Sequence, residues 1–165
     1  NLFVDKNTEL LYTNGKNVAV SWMNATINGK PVIPRSGFLV EFNALWYNAL
    51  IFAKELALEK QNVFIIDKLM DTSEKVHKSF VETFLNDAGY LYDYVDGHYC
   101  DPNVRPNMLF AVSLDYSPLE RIQKKTIIDF VTKELLTTCG IRSLSPKSGN
   151  FKPHGLNKRK TIRLL

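Results

Sequence analysis

Apolar residues recur at helical spacing along three stretches of the chain. Over about Leu39 to Glu59, the positions Phe42, Leu45, Trp46, Ala49, Leu50, Ala53 and Leu56 follow the i, i+3, i+4, i+7 rhythm of one helix face. A second helix is predicted from about Ser73 to Asn86. Asp71 and Glu74 have capping-box spacing there, Val76, Phe80, Val81 and Phe84 share a face, and Gly89 follows the end. For the third, Ser117 is the expected cap, Pro118 the first helical residue and Glu120 the return partner. Its stripe is Leu119, Ile122, Ile127, Phe130, Val131 and Leu135, with Gly140 suited to the turn beyond. A shorter helix is expected to start at Pro106 and carry Met108 to Val112. Only Val18 to Trp22 and Tyr90 to Tyr94 look strand-like.

These elements read as helical hairpins joined by long loops, and the expected fold class is all-α. The loops over 12–37 and 87–105 hold Trp22, Tyr90, Tyr92, Tyr94 and Tyr99. Simple bundles have short polar connections, whereas long loops on a rigid scaffold are frequent places for binding sites.

Composition narrows the class. A chain of 165 residues with 45% hydrophobic and 23% charged residues can bury a core as one domain. No run approaches the ~20 apolar residues that span a bilayer. The start, NLFVDKNTELL, has neither the regions of a signal peptide nor an initiator Met, as the interior of a longer chain would read. A cytoplasmic location is expected.

The formal charge of +4 is concentrated at one end. Residues 151–165 hold five cations (Lys152, Lys158, Arg159, Lys160 and Arg163) and no acid, which leaves 16 basic against 17 acidic residues elsewhere. The body therefore offers no basic face for nucleic acid. Cys100 and Cys139 are too few for a disulfide scaffold and match no zinc spacing, so free thiols and no metal are expected. Asn24-Ala25-Thr26 matches a glycosylation acceptor, a triplet that arises often by chance.

Candidate chemistry lies where polar residues interrupt apolar runs. Glu41, Asn43 and Asn48 stand among Trp46 and Tyr47, and the loop YDYVDGHYCDPNVRPN adds Asp93, Asp96, Asp101, Arg105 and Asn107. A wet helix face or an ordinary surface turn explains such mixtures. So does a sugar site, because a hexose offers C–H faces for stacking and hydroxyls for amide and carboxylate hydrogen bonds.

Longer motifs carry a resemblance. SWMN-x-TINGKPVIPRSG-x-x-VEFNALWYNAL, then GYLYDYVDG…DPNVRPNMLFAVSLDYSPL, then VTKELLTTCGIRSLSPKSGN resemble, in that order, the amylo-α-1,6-glucosidase domain of glycogen debranching enzymes over roughly residues 8–150. The resemblance implies an (α/α)6 toroid of six helical hairpins, of which this chain would be the first part. It implies hydrolysis, with inversion, of α-1,6-linked glucose stubs on glycogen or dextrin, and no cofactor. α-Glucan is then the expected partner, while the oligomeric state is not legible.

By the same resemblance, Trp22, Arg35, Glu41, Asn43 and Trp46 match the first motif and would line a glucose pocket. Asp96, Arg105 and Asn107 match the second and would touch the sugar or brace the loop. Two readings stand for Arg35 and Glu41: pocket residues, or a bracing arginine paired with a carboxylate. The family's general-acid aspartate falls at Asn24, whose amide has no acidic proton to give. Inverting hydrolysis needs one carboxyl to protonate the leaving oxygen and another to activate water. Three readings follow: a subgroup in which Glu41 or Asp96 substitutes as acid, a non-catalytic glucan-binding module, or a disabling substitution.

The family pattern is expected to end after Asn150, before the glutamate that would be its base. The expected organisation is a partial catalytic domain over 1–150 and a divergent basic tail over 151–165. That tail reads as out-of-frame or truncated sequence, or alternatively as a genuine anion-binding segment. The isolated chain is expected to be inactive.

Overall fold

The computed structural model describes residues 1–152. It shows a mixed fold, not an all-α toroid. Nine short strands and four α-helices are present among the described residues: β1 (Leu2–Val4), β2 (Leu11–Thr13), β3 (Thr26–Ile27), β4 (Lys30–Pro31), β5 (Gly37–Leu39), α1 (Val40–Glu59), α2 (Val63–Phe84), β6 (Tyr94–Asp96), β7 (Tyr99–Cys100), α3 (Leu109–Ser113), α4 (Arg121–Leu135), β8 (Leu136–Thr137) and β9 (Gly140–Ile141). A 3₁₀ turn, Pro106–Met108, leads into α3 as the proline implied.

Five strands form one antiparallel sheet in the order β1-β2-β5-β6-β7, with Tyr12 opposite Phe38 and Phe38 opposite Val95. Strands of two or three residues show too little alternation to stand out from loop sequence. That is why the all-α expectation fails. Val18 to Trp22 is irregular, and Tyr90 to Tyr94 contributes only a bridge at Leu91 and the start of β6.

Helix α1 matches its predicted span within a residue. It needs no side-chain cap because β5 runs straight into it, and Asn43 Nδ2 donates to the Leu39 carbonyl at 3.0 Å. It closes on Gln61, whose φ of 54° is left-handed; Gln61 N–H reaches Leu58 O and Asn62 N–H reaches Ala57 O. Asn62 then caps α2 by accepting from Ile65 N–H, so α2 begins ten residues before the predicted Ser73 and Asp71 lies mid-helix. In α4, Glu120 is the cap and Gln123 its partner. Ser117 instead donates to Ala111 O and accepts from Leu119 N–H.

The core lies between these helices and one face of the sheet. Leu10, Val40, Ala44, Phe80, Phe84, Leu91, Ala111, Ile127 and Leu135 are all wholly buried in it. Phe80 and Phe84 pack with ring centroids 4.8 Å apart. Burial of such side chains contributes about 1.5–3 kcal/mol each, which fixes α1 and α2 against the sheet. No helix among the described residues is long and apolar enough to cross a membrane. Most of the basic tail, residues 153–165, lies outside the described residues.

Candidate functional site

The segment Pro34-Arg35-Ser36-Gly37 delivers an arginine to the start of β5. Gly37 has a φ of 92°, and a Cβ there would stand 2.1 Å from the Val95 carbonyl oxygen, so only glycine lets β5 pass this close to β6. The approach sets Arg35 beside Asp93, just before β6, and beside Glu41 in the first turn of α1. Alternation explains the burial of Asp93: Leu91, Asp93 and Val95 share the inward face of one extended stretch.

Arg35 grips Glu41 with both prongs, NH1 to Oε1 at 2.5 Å and NH2 to Oε2 at 2.8 Å. NH2 also donates to the Asp93 carbonyl at 3.0 Å, and NH1 to Ser21 Oγ at 3.3 Å. Asp93 Oδ1 accepts from Asn107 Nδ2 at 2.6 Å. Asp93 Oδ2 lies 2.9 Å from Arg35 Nε without meeting hydrogen-bond geometry and 3.7 Å from Arg105 Nε, beyond hydrogen-bond distance, so charge rather than a directed hydrogen bond holds it. Arg105 NH1 donates to the Ser143 carbonyl at 3.2 Å.

Arg35, Glu41, Asp93, Arg105 and Asn107 are all buried, which is tolerable because two cations face two anions. The balance is uneven. Burial pushes the Asp93 carboxyl up to about 6, although Arg35, Asn107 and Arg105 all pull it down. For Arg35, burial opposes the charge, but the Glu41 hydrogen bond and the Asp93 charge outweigh it and raise the guanidinium above its ordinary value.

This buried cluster reaches the surface through Asn107, whose Oδ1 accepts from Trp22 Nε1 at 2.9 Å. Trp22 is nonetheless 54% exposed, so a residue tethered through its ring N–H still meets solvent over more than half its surface. Trp22, Met23, Asn24, Ile33 and Arg105 line a cleft of about 240 Å³. Asn24 is exposed and makes no side-chain hydrogen bond among the described residues. A neighbouring cleft of about 420 Å³ shares Val32, Ile33 and Arg105 with the first, and adds Tyr94, Tyr99, Asp101 and Asn103.

Of the candidates, Trp22, Asn24 and Arg105 line the smaller cleft, while Arg35, Glu41 and Asn107 are buried in the cluster linked to it through the Trp22–Asn107 hydrogen bond. The remaining three candidates, Asn43, Trp46 and Asp96, line neither cleft and belong to other contacts. Asn43 is wholly buried and stitches α1 to β2, accepting from Leu11 N–H at 2.7 Å and donating to Leu11 O at 3.1 Å. Trp46 Nε1 donates to Glu9 O at 3.0 Å, and Asp96 accepts from Tyr12 OH at 2.7 Å. Asp93 is the cluster's hub, yet the motif reading places it only among loop residues. Its inward position between Leu91 and Val95 is the signal that marks it.

Among the described residues, no group of three His, Cys, Asp or Glu is placed to hold a metal ion, and both cysteines are free. No curated protein gives a significant match to the sequence. The chain does match the sequence profile described as amylo-alpha-1,6-glucosidase, over residues 1–162. That span takes in almost every residue, the Trp22 loop and the buried cluster among them, and the chain belongs to the amylo-alpha-1,6-glucosidase family.

Proposed function

We propose that the chain serves the debranching of α-glucan by holding a glucose unit against Trp22, and that alone it binds glucan without releasing glucose. One observation carries this reading: an aromatic ring more than half exposed, yet pinned by its N–H to the buried Asn107. A platform fixed before the ligand arrives loses little freedom on binding, and an open indole face suits the C–H face of a pyranose. Arg35, Glu41 and Asp93 brace the platform from below. The substrate class follows from the family, whose reaction is hydrolysis at α-1,6 glucose branches; inversion at the anomeric carbon is the stereochemistry proposed.

The absence of turnover follows from the proton inventory. Asn24 occupies the resemblance's acid position and has no proton to transfer near neutral pH. Glu41 is 2% exposed with both oxygens held by Arg35, which leaves neither free to meet a leaving group. General acid catalysis accounts for ~10²–10⁴-fold of rate, and this pair does not supply it.

A second reading, a glucan-binding module with no catalytic role, is favoured by the same amide at Asn24. Calorimetric titration with maltooligosaccharides and glucose assays on limit dextrin test both. Binding that Trp22→Ala abolishes supports the platform; glucose release by the unaltered chain overturns the no-turnover proposal. Glucose release gained by Asn24→Asp marks a hydrolytic site disabled at one side chain. Unchanged binding without turnover in that variant marks a module.

A further inference from the structure

The loop that carries Trp22, Met23 and Asn24 has little support from its own backbone. Among the described residues, 19–24 make no backbone-to-backbone hydrogen bond. Side chains hold the loop instead. Ser21 Oγ accepts from Arg35 NH1 and from Met23 N–H, each at 3.3 Å, and Asn107 takes both Trp22 and Met23. We propose that Asn107 is the positioning residue of this loop, and that the charge on Asp93 sets the orientation of the Asn107 amide and so decides whether Trp22 is tethered. The consequence for ligand binding rests on the glucan reading above; the tether itself does not.

Asn107 is wholly buried in the 3₁₀ turn Pro106–Met108, and its amide is fully used. The oxygen accepts from Trp22 Nε1 at 2.9 Å, while Nδ2 donates to Asp93 Oδ1 at 2.6 Å and to Met23 Sδ at 3.4 Å. An indole N–H can only donate, and an ionised carboxylate can only accept. Both demands select one orientation: the oxygen faces Trp22 because Asp93 claims the nitrogen.

A proton on Asp93 reverses the second demand. On Oδ2 it would stand 2.9 Å from Arg35 Nε, against the guanidinium charge, so it goes to Oδ1 and faces Asn107. The carboxyl is then a donor pointed at an N–H. Turning the amide relieves this, and it leaves Trp22 Nε1 facing NH2 with nothing to accept its proton. The groups that bear on Asp93 are Arg35 from the loop before β5, Glu41 from α1 and Arg105 from the loop before the 3₁₀ turn. Tyr94 adjoins it, and Asp101 acts on both Arg35 and Tyr94. Burial pushes Tyr94 up to about 12, so its phenol stays neutral where Asp93, held by burial at about 6, changes charge. Trp22 is tethered above that point and released below it.

The test is the ¹H–¹⁵N spectrum of the 165-residue chain, in which Trp46→Phe assigns the two indole N–H peaks. Spectra from about pH 4 to about 8 bracket the Asp93 titration. The Trp22 peak should shift with a midpoint near 6, and its protection from exchange, measured against free indole, should fall on the acid side. The Trp46 peak, bonded to Glu9 O, should stay in place. In Asp93→Asn the Trp22 peak should be independent of pH, and in Asn107→Ala it should hold the released position throughout. Maltohexaose affinity of the unmodified chain should fall about tenfold per pH unit below the midpoint, since only the ionised fraction is competent, and should stay level in Asp93→Asn. A Trp22 peak that does not titrate, or that titrates as before in either variant, overturns the proposal; if maltohexaose still binds then, the glucan reading stands. A titrating peak without glucan binding at any pH upholds the tether and overturns the glucan reading.

Discussion

Arg35 and Glu41 lie six residues apart and meet through two parallel hydrogen bonds, in a pocket where each side chain is at most 2% accessible. The pair joins the end of an irregular loop to the first turn of a helix. With Asp93 also against the guanidinium, it ties that loop both to the start of α1 and to the stretch before β6.

Removing the cation should therefore cost far more than removing a surface charge. Arg35→Met leaves Glu41 and Asp93 buried without their counter-ion, and an uncompensated buried pair member costs about 3–5 kcal/mol. Arg35→Lys keeps the charge, loses the two-pronged grip and should fall between. Urea unfolding midpoints order the three proteins, and equal midpoints for Met and Lys would refute the electrostatic account.

Asp93 should give the protein a stability that declines as pH rises through the acidic range. Its folded pKa of about 6 exceeds the ordinary 3.8, so the native state holds this proton more tightly than the unfolded chain does. The contribution is present in full below about pH 4, is lost between about 4 and 6, and is constant above. The difference is on the order of 3 kcal/mol. Unfolding free energies at half-unit pH steps should show this slope, and Asp93→Asn should flatten it. Identical slopes in the two proteins would sink the assignment.

Asn43→Ala should destabilise without touching either cleft. It removes three hydrogen bonds, to Leu11 N–H, Leu11 O and Leu39 O, from a side chain with no solvent to replace them. A loss of about 2–3 kcal/mol is expected, since each buried group left unpaired costs roughly 1–3 kcal/mol. Maltooligosaccharide affinity of the folded variant should match that of the parent protein.

Gly37→Ala should be among the most damaging single changes. A methyl group there collides with the Val95 carbonyl while φ stays in a region that side chains disfavour. At least about 3 kcal/mol should be lost, at the upper end for point substitutions. A soluble Gly37→Ala variant with the parental melting temperature would show that β5 and β6 can separate freely.

Legibility in the sequence tracks element length and the strength of each local signal. Helix α1 repeats its apolar rhythm over five turns, and its span is readable within a residue. The start of α2 escapes because Val63, Phe64 and Ile65 are exposed and blur the stripe, while Asp71 and Glu74 imitate a cap in mid-helix. The sheet escapes because none of its strands exceeds three residues. One hairpin carries a signal that a helix-led reading passes over. Asn28 and Gly29, with φ of 51° and 74°, form the tight turn between β3 and β4, and Asn-Gly is the strongest short hairpin signal.

At the site, motif matching finds most of the residues that cluster, and residue type alone does not separate the roles they play. Arg35 with Glu41 is readable as a bracing pair, and the structure shows that pairing. Nothing local indicates that Trp22 and Asn107 meet, because their contact depends on how the whole sheet is threaded.

That last contact spans 85 positions, and the Arg35–Asp93 contact spans 58. Contacts between such distant positions form slowly, since a long loop must close before they give anything back. The surface around Trp22 is therefore a late product of folding. A chain emerging from the ribosome has α1 and α2 complete while its tryptophan still waits for residue 107, and binding competence should lag helix content in any refolding experiment.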